Sequence, residues 1–145
     1  MAAGVVVAGT LAATPASASD YPNTIIGQQS NRCIDIDAAR NDANGTRAVL
    51  WDCNGNWNQK FYFGGDSTWS RNGKCLEQAG WNAPNGTPVQ IWDCNGGTNQ
   101  KWYFGANGEI INRDSGKCLD APGTGNGTQL QVWDCWSGQN QRWYW

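Results

Sequence analysis

A chain of 145 residues with 39% hydrophobic content is long enough for one packed domain and too apolar for a disordered one. A formal charge of −2, with Lys and Arg scattered singly, leaves no basic footprint for nucleic acid. The absence of His excludes Ser-His-Asp and Cys-His catalysis and most zinc sites, while 10 Trp are far more than a small domain carries without a reason.

In chain order, residues 1–18 form a separate block, uncharged, rich in Ala and Val, and ending in Ala16-x-Ala18. This pattern resembles the apolar region and cleavage site of a secretory signal peptide. It is too short, and too interrupted by Gly, Thr and Pro, to span a membrane. Secretion is therefore expected, with the mature domain occupying residues 19–145, and no membrane partner. Mean hydropathy of −0.62 and 19 Gly suit a loop-rich soluble fold.

From residue 24 the chain repeats itself. Trp51, Trp92 and Trp133 are spaced by 41 positions, as are Gln59, Gln100 and Gln141. A fixed period of this size marks one supersecondary unit used three times, with repeats at about 24–64, 65–105 and 106–145. Each repeat opens on a strand-like segment: Ile25–Gln28, Ser67–Ser70 and Ile110–Asn112. A polar turn leads to Cys33-Ile34-Asp35, Cys75-Leu76-Glu77 or Cys118-Leu119-Asp120. Next come Asn44-Gly45-Thr46, Asn85-Gly86-Thr87 and Asn126-Gly127-Thr128, read as hairpin turns because Asn-Gly accepts positive φ at both residues. They also match the glycosylation acceptor pattern, but recurrence at one place favours the structural role. No stretch has helical periodicity of useful length, so the fold class is all-β.

Each repeat owns two cysteines, so the simplest pairing is Cys33 with Cys53, Cys75 with Cys94 and Cys118 with Cys135. No pair has the C-x-x-C spacing of a metal site, and structural disulfides fit a secreted chain. Each bridge closes a loop of about twenty residues and contributes about 3 kcal/mol in the chain-entropy view.

Alternation on the third strand separates Leu130 and Val132 from Gln131 and Trp133, and Val89 and Ile91 from Gln90 and Trp92. The apolar pairs face the core, leaving Gln and Trp outside. By the same period Leu119 points in, while Cys118 and Asp120 point out. Asp120, Gln131 and Trp133 thus share an outer surface. On the fourth strand Phe61, Trp102 and Trp143 are expected to meet on a threefold axis as core. Gln59, Gln100 and Gln141 are expected to hold neighbouring backbone, since buried amides need partners.

Three units of the form Cys-Leu/Ile-Asp/Glu, Gln-x-Trp-Asp-Cys and Asn-Gln-x-Trp/Phe resemble the ricin B-type lectins and the related family 13 carbohydrate-binding modules. The resemblance runs from about residue 24 to 145. It implies a β-trefoil with pseudo-threefold symmetry and up to three shallow sugar pockets, for galactose-type sugars or for xylan- and arabinan-type plant polysaccharides. Carried over by position, the third pocket has Asp120, Gln131, Trp133 and Asn140. The second has Gln90, Trp92 and Asn99, with Glu77 as a longer acid. The first has Asp35, Trp51 and Asn58, but Val49 stands where Gln is expected.

These residue types suit a hexose. Its apolar C–H face covers an indole at roughly 2 kcal/mol, and hydroxyls donate to a carboxylate at about 1.5–3 kcal/mol each before losses. Immobilisation offsets much of this, giving single-site affinities on the order of millimolar to tens of micromolar, raised by avidity across pockets. Trp57, Trp81 and Trp136 in loops would extend the pockets toward longer chains.

Other readings fall away. Gly123-x-Gly125-x-Gly127 precedes no helix, and Asp35-x-Asp37 lacks the rest of a calcium loop. Asp52, Asp93 and Asp134 recur equally in all three units, which fits framework better than one hydrolytic centre. No catalytic residue, cofactor or metal is expected. The partner is a carbohydrate, bound by a monomer. Alternatives are an accessory binding module of a secreted glycoside hydrolase, and a β-trefoil that acts on proteins as an inhibitor or toxin partner.

Overall fold

The computed structural model describes residues 21–145, and the expected leader at residues 1–18 lies outside them. Twelve short strands and four single-turn 3-10 helices make up the described chain. Repeat one contains β1 (Ile26–Gly27), β2 (Cys33–Ile36), β3 (Ala48–Trp51) and β4 (Tyr62–Phe63). Repeat two contains β5 (Trp69–Arg71), β6 (Lys74–Gln78), β7 (Thr87–Asp93) and β8 (Trp102–Phe104). Repeat three contains β9 (Ile110–Asn112), β10 (Cys118–Asp120), β11 (Gln131–Trp133) and β12 (Trp143–Tyr144).

Second and third strands pair antiparallel within each repeat, setting Asp35 opposite Val49, Glu77 opposite Gln90 and Asp120 opposite Gln131. The fourth strand of each repeat pairs with the first strand of the next: β4 with β5, β8 with β9, and β12 with β1. The third strands also meet in a ring, through the β7–β11 ladder and the bridges Arg47–Gln90 and Val49–Gln129. The pairing of β12 with β1 joins the last repeat to the first, and the same pairings recur in each repeat, which is the pseudo-threefold symmetry of a β-trefoil. On the axis, Gln129 Nε2 donates to the carbonyls of Ala48, Val89 and Leu130, one from each repeat.

The inward residues are those the alternation selects: Leu50, Val89, Ile91, Leu119, Leu130 and Val132 are fully buried. The disulfides join Cys33 to Cys53, Cys75 to Cys94 and Cys118 to Cys135, the pairing expected from the repeats.

Two expectations need correction. Phe61, Trp102 and Trp143 are buried, yet the rings that touch across repeats are Phe63, Phe104 and Trp145, together with Trp69. Trp102 and Trp143 instead donate their indole N–H to the Leu76 and Leu119 carbonyls within their own repeats. A buried indole must satisfy its N–H, and that carbonyl holds each ring off the axis. The Asn-Gly turns also differ from a two-residue hairpin: Gly45, Gly86 and Gly127 have φ of +85°, +92° and +87°, but the Asn before each does not enter the left-handed region. Those Asn side chains are inter-repeat latches. Asn44, Asn85 and Asn126 donate to Asp93, Asp134 and Asp52 and accept from the backbone N–H of the same residues. Each Asp also meets a cation, Lys74, Lys117 and Arg32 respectively. These contacts hold the Asp93 and Asp134 carboxyls below their ordinary range, the lysine bond being the largest cause.

Candidate functional site

In each repeat the outward acid of the second strand lies beneath a 3-10 turn, Trp57–Gln59, Thr98–Gln100 or Gln139–Gln141. These turns carry the Asn-Gln pairs and fold over the acids. Although on the outer face of their strands, Asp35, Glu77 and Asp120 are therefore only 3–7% exposed. Each acid is thus a buried anchor under its turn, and in the first repeat Asp35 lines an open cleft.

The third repeat gathers its full predicted set. Asp120 Oδ1 accepts from Gln131 Nε2 at 3.0 Å. Its Oδ2 accepts from Asn140 Nδ2 at 3.0 Å and from Gln141 Nε2 at 2.9 Å. The second repeat reproduces the pattern despite its extra methylene: Gln90 and Gln100 each donate to Glu77 at 2.9 Å, and Asn99 at 3.3 Å. The first repeat has two donors only, Asn58 at 3.1 Å and Gln59 at 2.8 Å, because Val49 carries no amide. Burial raises the Asp35 carboxyl above its ordinary range, with nearby Asp37 adding to it, and the bonds from Gln59 and Asn58 and the charge of Arg71 only partly offset this.

Beside each acid stands the Trp of the third strand. Trp51, Trp92 and Trp133 are 41–45% exposed, a high value for so large an apolar ring. In the second and third sites the ring approaches a glycine turn of the preceding repeat: a Cβ on Gly45 would meet Trp92, and one on Gly86 would meet Trp133, both at 3.8 Å.

Gln59, Gln100 and Gln141 do hold backbone as expected, bridging the Asp52, Asp93 and Asp134 carbonyls to the N–H of Asn54, Asn95 and Trp136. Their bond to the acid was not foreseen. No fixed spacing announced it, since the separation from the acid is 24, 23 and 21 residues in the three repeats.

The loop tryptophans divide. The Trp136 ring and the Asn140 side chain both reach the space a Cβ on Gly138 would need, and Trp81 and Asn99 do the same at Gly97. Trp57 instead carries the Arg71 guanidinium over its ring at 4.2 Å and lines a separate groove with Lys60 and Tyr62. It does not extend the first site.

That site opens as a cleft of about 490 Å³, lined by Asp35, Asp37, Val49, Trp51, Asn54 and Asn58. Asp37 and Asn54 were not singled out by sequence. No group of three or more His, Cys, Asp or Glu residues among the described residues has the arrangement of a metal site. A recessed acceptor, amide donors at the rim and an indole wall can hold a neutral polyol, with directed bonds on one side and an apolar face on the other.

Three repeated clusters of acid, amides and indole on a pseudo-threefold β fold define a β-trefoil of lectin type. The family model for the ricin-type β-trefoil lectin domain matches residues 22–143, and the chain belongs to that family. Among solved structures it is similar to the agglutinin from Abrus precatorius, at 31% identity and a TM-score of 0.76, over 90% of this chain and 51% of that one. It is also similar to a non-toxic homologue of type II RIPs from Momordica charantia in complex with α-methyl-D-galactoside. There the identity is 26% and the TM-score 0.74, over 87% of this chain and 48% of that one. A third neighbour is an exo-β-1,3-galactanase from Clostridium thermocellum, with 25% identity, a TM-score of 0.76, and coverage of 86% and 30%. The chain thus spans about half the length of the first two and less of the third. A search of curated proteins finds no match.

Proposed function

We propose that this protein is a secreted, non-catalytic carbohydrate-binding lectin, taking galactose-type sugars or xylan- and arabinan-type polysaccharides through up to three shallow pockets. One observation carries the reading: each repeat sets a buried, amide-held carboxylate beside a half-exposed indole. Sugar hydroxyls donate to the free lone pairs of Asp35, Glu77 or Asp120. The C–H face of the ring lies on Trp51, Trp92 or Trp133, and Asn58, Asn99 or Asn140 closes the rim. The third pocket is the strongest, because it joins the shorter acid Asp120 to the rim amide of Gln131, where the second has Glu77 and the first has Val49. The family and the galactoside bound by the Momordica neighbour support a galactose-type ligand.

A second reading, an accessory module of a glycoside hydrolase, draws on the galactanase neighbour, of which this chain matches 30%. The first test is a glycan array on residues 19–145, followed by calorimetry with galactose, lactose and xylo-oligosaccharides. Binding that survives Asp120→Ala and Trp133→Ala together, with the first and second sites already disabled, would sink the site assignment.

A further inference from the structure

The first cleft does not end at its acid. Where the other sites have a glutamine, Val49 leaves the wall low, and a further cavity of about 410 Å³ continues from it, sharing Val49 and Asp37 and running to Arg40, Arg47 and Gly45. The chain has ten Lys and Arg in all. Six of them have side-chain partners: Arg32, Arg71, Lys74 and Lys117 in ion pairs, Arg113 over Tyr103, and Arg142 on the Ser137 carbonyl. Among the described residues only Arg40, Arg47, Lys60 and Lys101 have no side-chain partner, and two of these four line this one cavity.

We propose that this extension is an anion subsite: it takes a uronate carboxylate or a sulfate ester on the sugar next to the one stacked on Trp51. A guanidinium fork matches either group with two parallel N–H donors, and an unpaired fork binds without first breaking a protein contact. Asp37 is the one acid lining the extension, and its Oδ1 is engaged in capping the Ala39 N–H at 3.0 Å. Two guanidinium charges against that single carboxylate leave the far end net positive. In the second and third sites Gln90 and Gln131 stand at the position of Val49 and bond to Glu77 and Asp120, and Pro88 and Gln129 stand at the repeat position of Arg47. The first repeat's departure from the repeat pattern thereby becomes a difference of ligand, not a loss of site.

This inference rests on the carbohydrate reading above, and its test separates the two. Matched probes are xylotetraose and its glucuronic-acid-substituted form, and a galactose disaccharide with and without a sulfate ester. Each is titrated into the full-length protein at 20 and 200 mM salt, with the Trp51 indole N–H resonance as the reporter of the first site. At low salt at least one anionic probe is expected to bind the first site about tenfold tighter than its neutral partner, with the excess shrinking at high salt. The arm that shows the excess identifies carboxylate or sulfate. Arg40→Gln with Arg47→Gln should erase the excess and leave neutral binding unchanged, and both residues are exposed, so the fold is kept. Val49→Gln should erase it too, by raising the wall. Equal binding of charged and neutral probes at Trp51, or an excess that persists in the double variant, overturns the subsite while leaving the lectin reading intact. No neutral probe binding at any site would instead overturn the lectin reading.

Discussion

The first and third sites carry the same acid at the same register position, beside the same indole, yet they are built to different specifications. Asp120 is clamped by three amides and Asp35 by two. The missing donor is Gln131's counterpart, Val49, which lies directly opposite Asp35 on β3. One side chain thus changes two properties together: the number of donors on the acid and the lining of the cleft beside it. Pseudo-symmetry preserves the framework while a single strand position tunes each copy.

The comparison can be broken at its centre. Asp120→Ala should lower third-site affinity by at least about a hundredfold, since ligand hydroxyls lose their charged acceptor. It should also destabilise the fold by about 2 kcal/mol or more, because three amides lose their partner. Calorimetry and urea unfolding read the two effects separately. Trp133→Ala and Trp51→Ala should each weaken their own site by about thirtyfold, the loss of roughly 2 kcal/mol of ring contact, and should leave stability nearly unchanged.

Acidification should act on the first site more gently. Because the Asp35 carboxyl is raised, it takes up a proton at a higher pH than an ordinary carboxylate does. First-site binding should therefore fall as the pH drops toward that raised value, before an unshifted carboxylate would protonate. Val49→Gln, by adding a third donor to the ionised form, should move the transition to lower pH. Carboxyl carbon NMR on the two forms would show it, and an unmoved titration would refute the donor-count explanation. The smallest effect is expected from Trp136→Ala: a few-fold loss for tri- and tetrasaccharides and none for monosaccharides, since Trp136 stands beside Asn140 outside the main platform.

Much of this was legible in the residues. The 41-residue period carries the trefoil, and the period-two alternation of Leu130-Gln131-Val132-Trp133 assigns the buried Leu130 and Val132 and the exposed Trp133 correctly. Strand alternation reports a direction, however, and not a depth. It put Asp120 outside, but the turn that covers it comes from twenty residues downstream. Side-chain reach across repeats was equally invisible. The bonds of Asn44, Asn85 and Asn126 to aspartates of other repeats involve no local pattern beyond the turn itself, and Gln129 finds its three carbonyls only because three strands converge on the axis. The loop tryptophans look alike in sequence, yet Trp57 is captured by Arg71 from the next repeat, and nothing near Trp57 announces that partner.

The closure of β12 onto β1 has a consequence for how the molecule comes into being. Ile26 and Gly27 find their partners in Tyr144 and Trp143, at the opposite end of the trefoil's sequence. Contacts this distant in the chain make for slow, late closure. Until then β1 has an unpaired side and the nascent chain has a sticky rim. Each disulfide, by contrast, joins residues no more than 20 apart and needs nothing from another repeat. Maturation should thus run in two tempos: three stapled lobes formed early, then one locking event at the seam. Removal of Trp143, Tyr144 and Trp145 should leave stapled but open chains that self-associate, which light scattering would read.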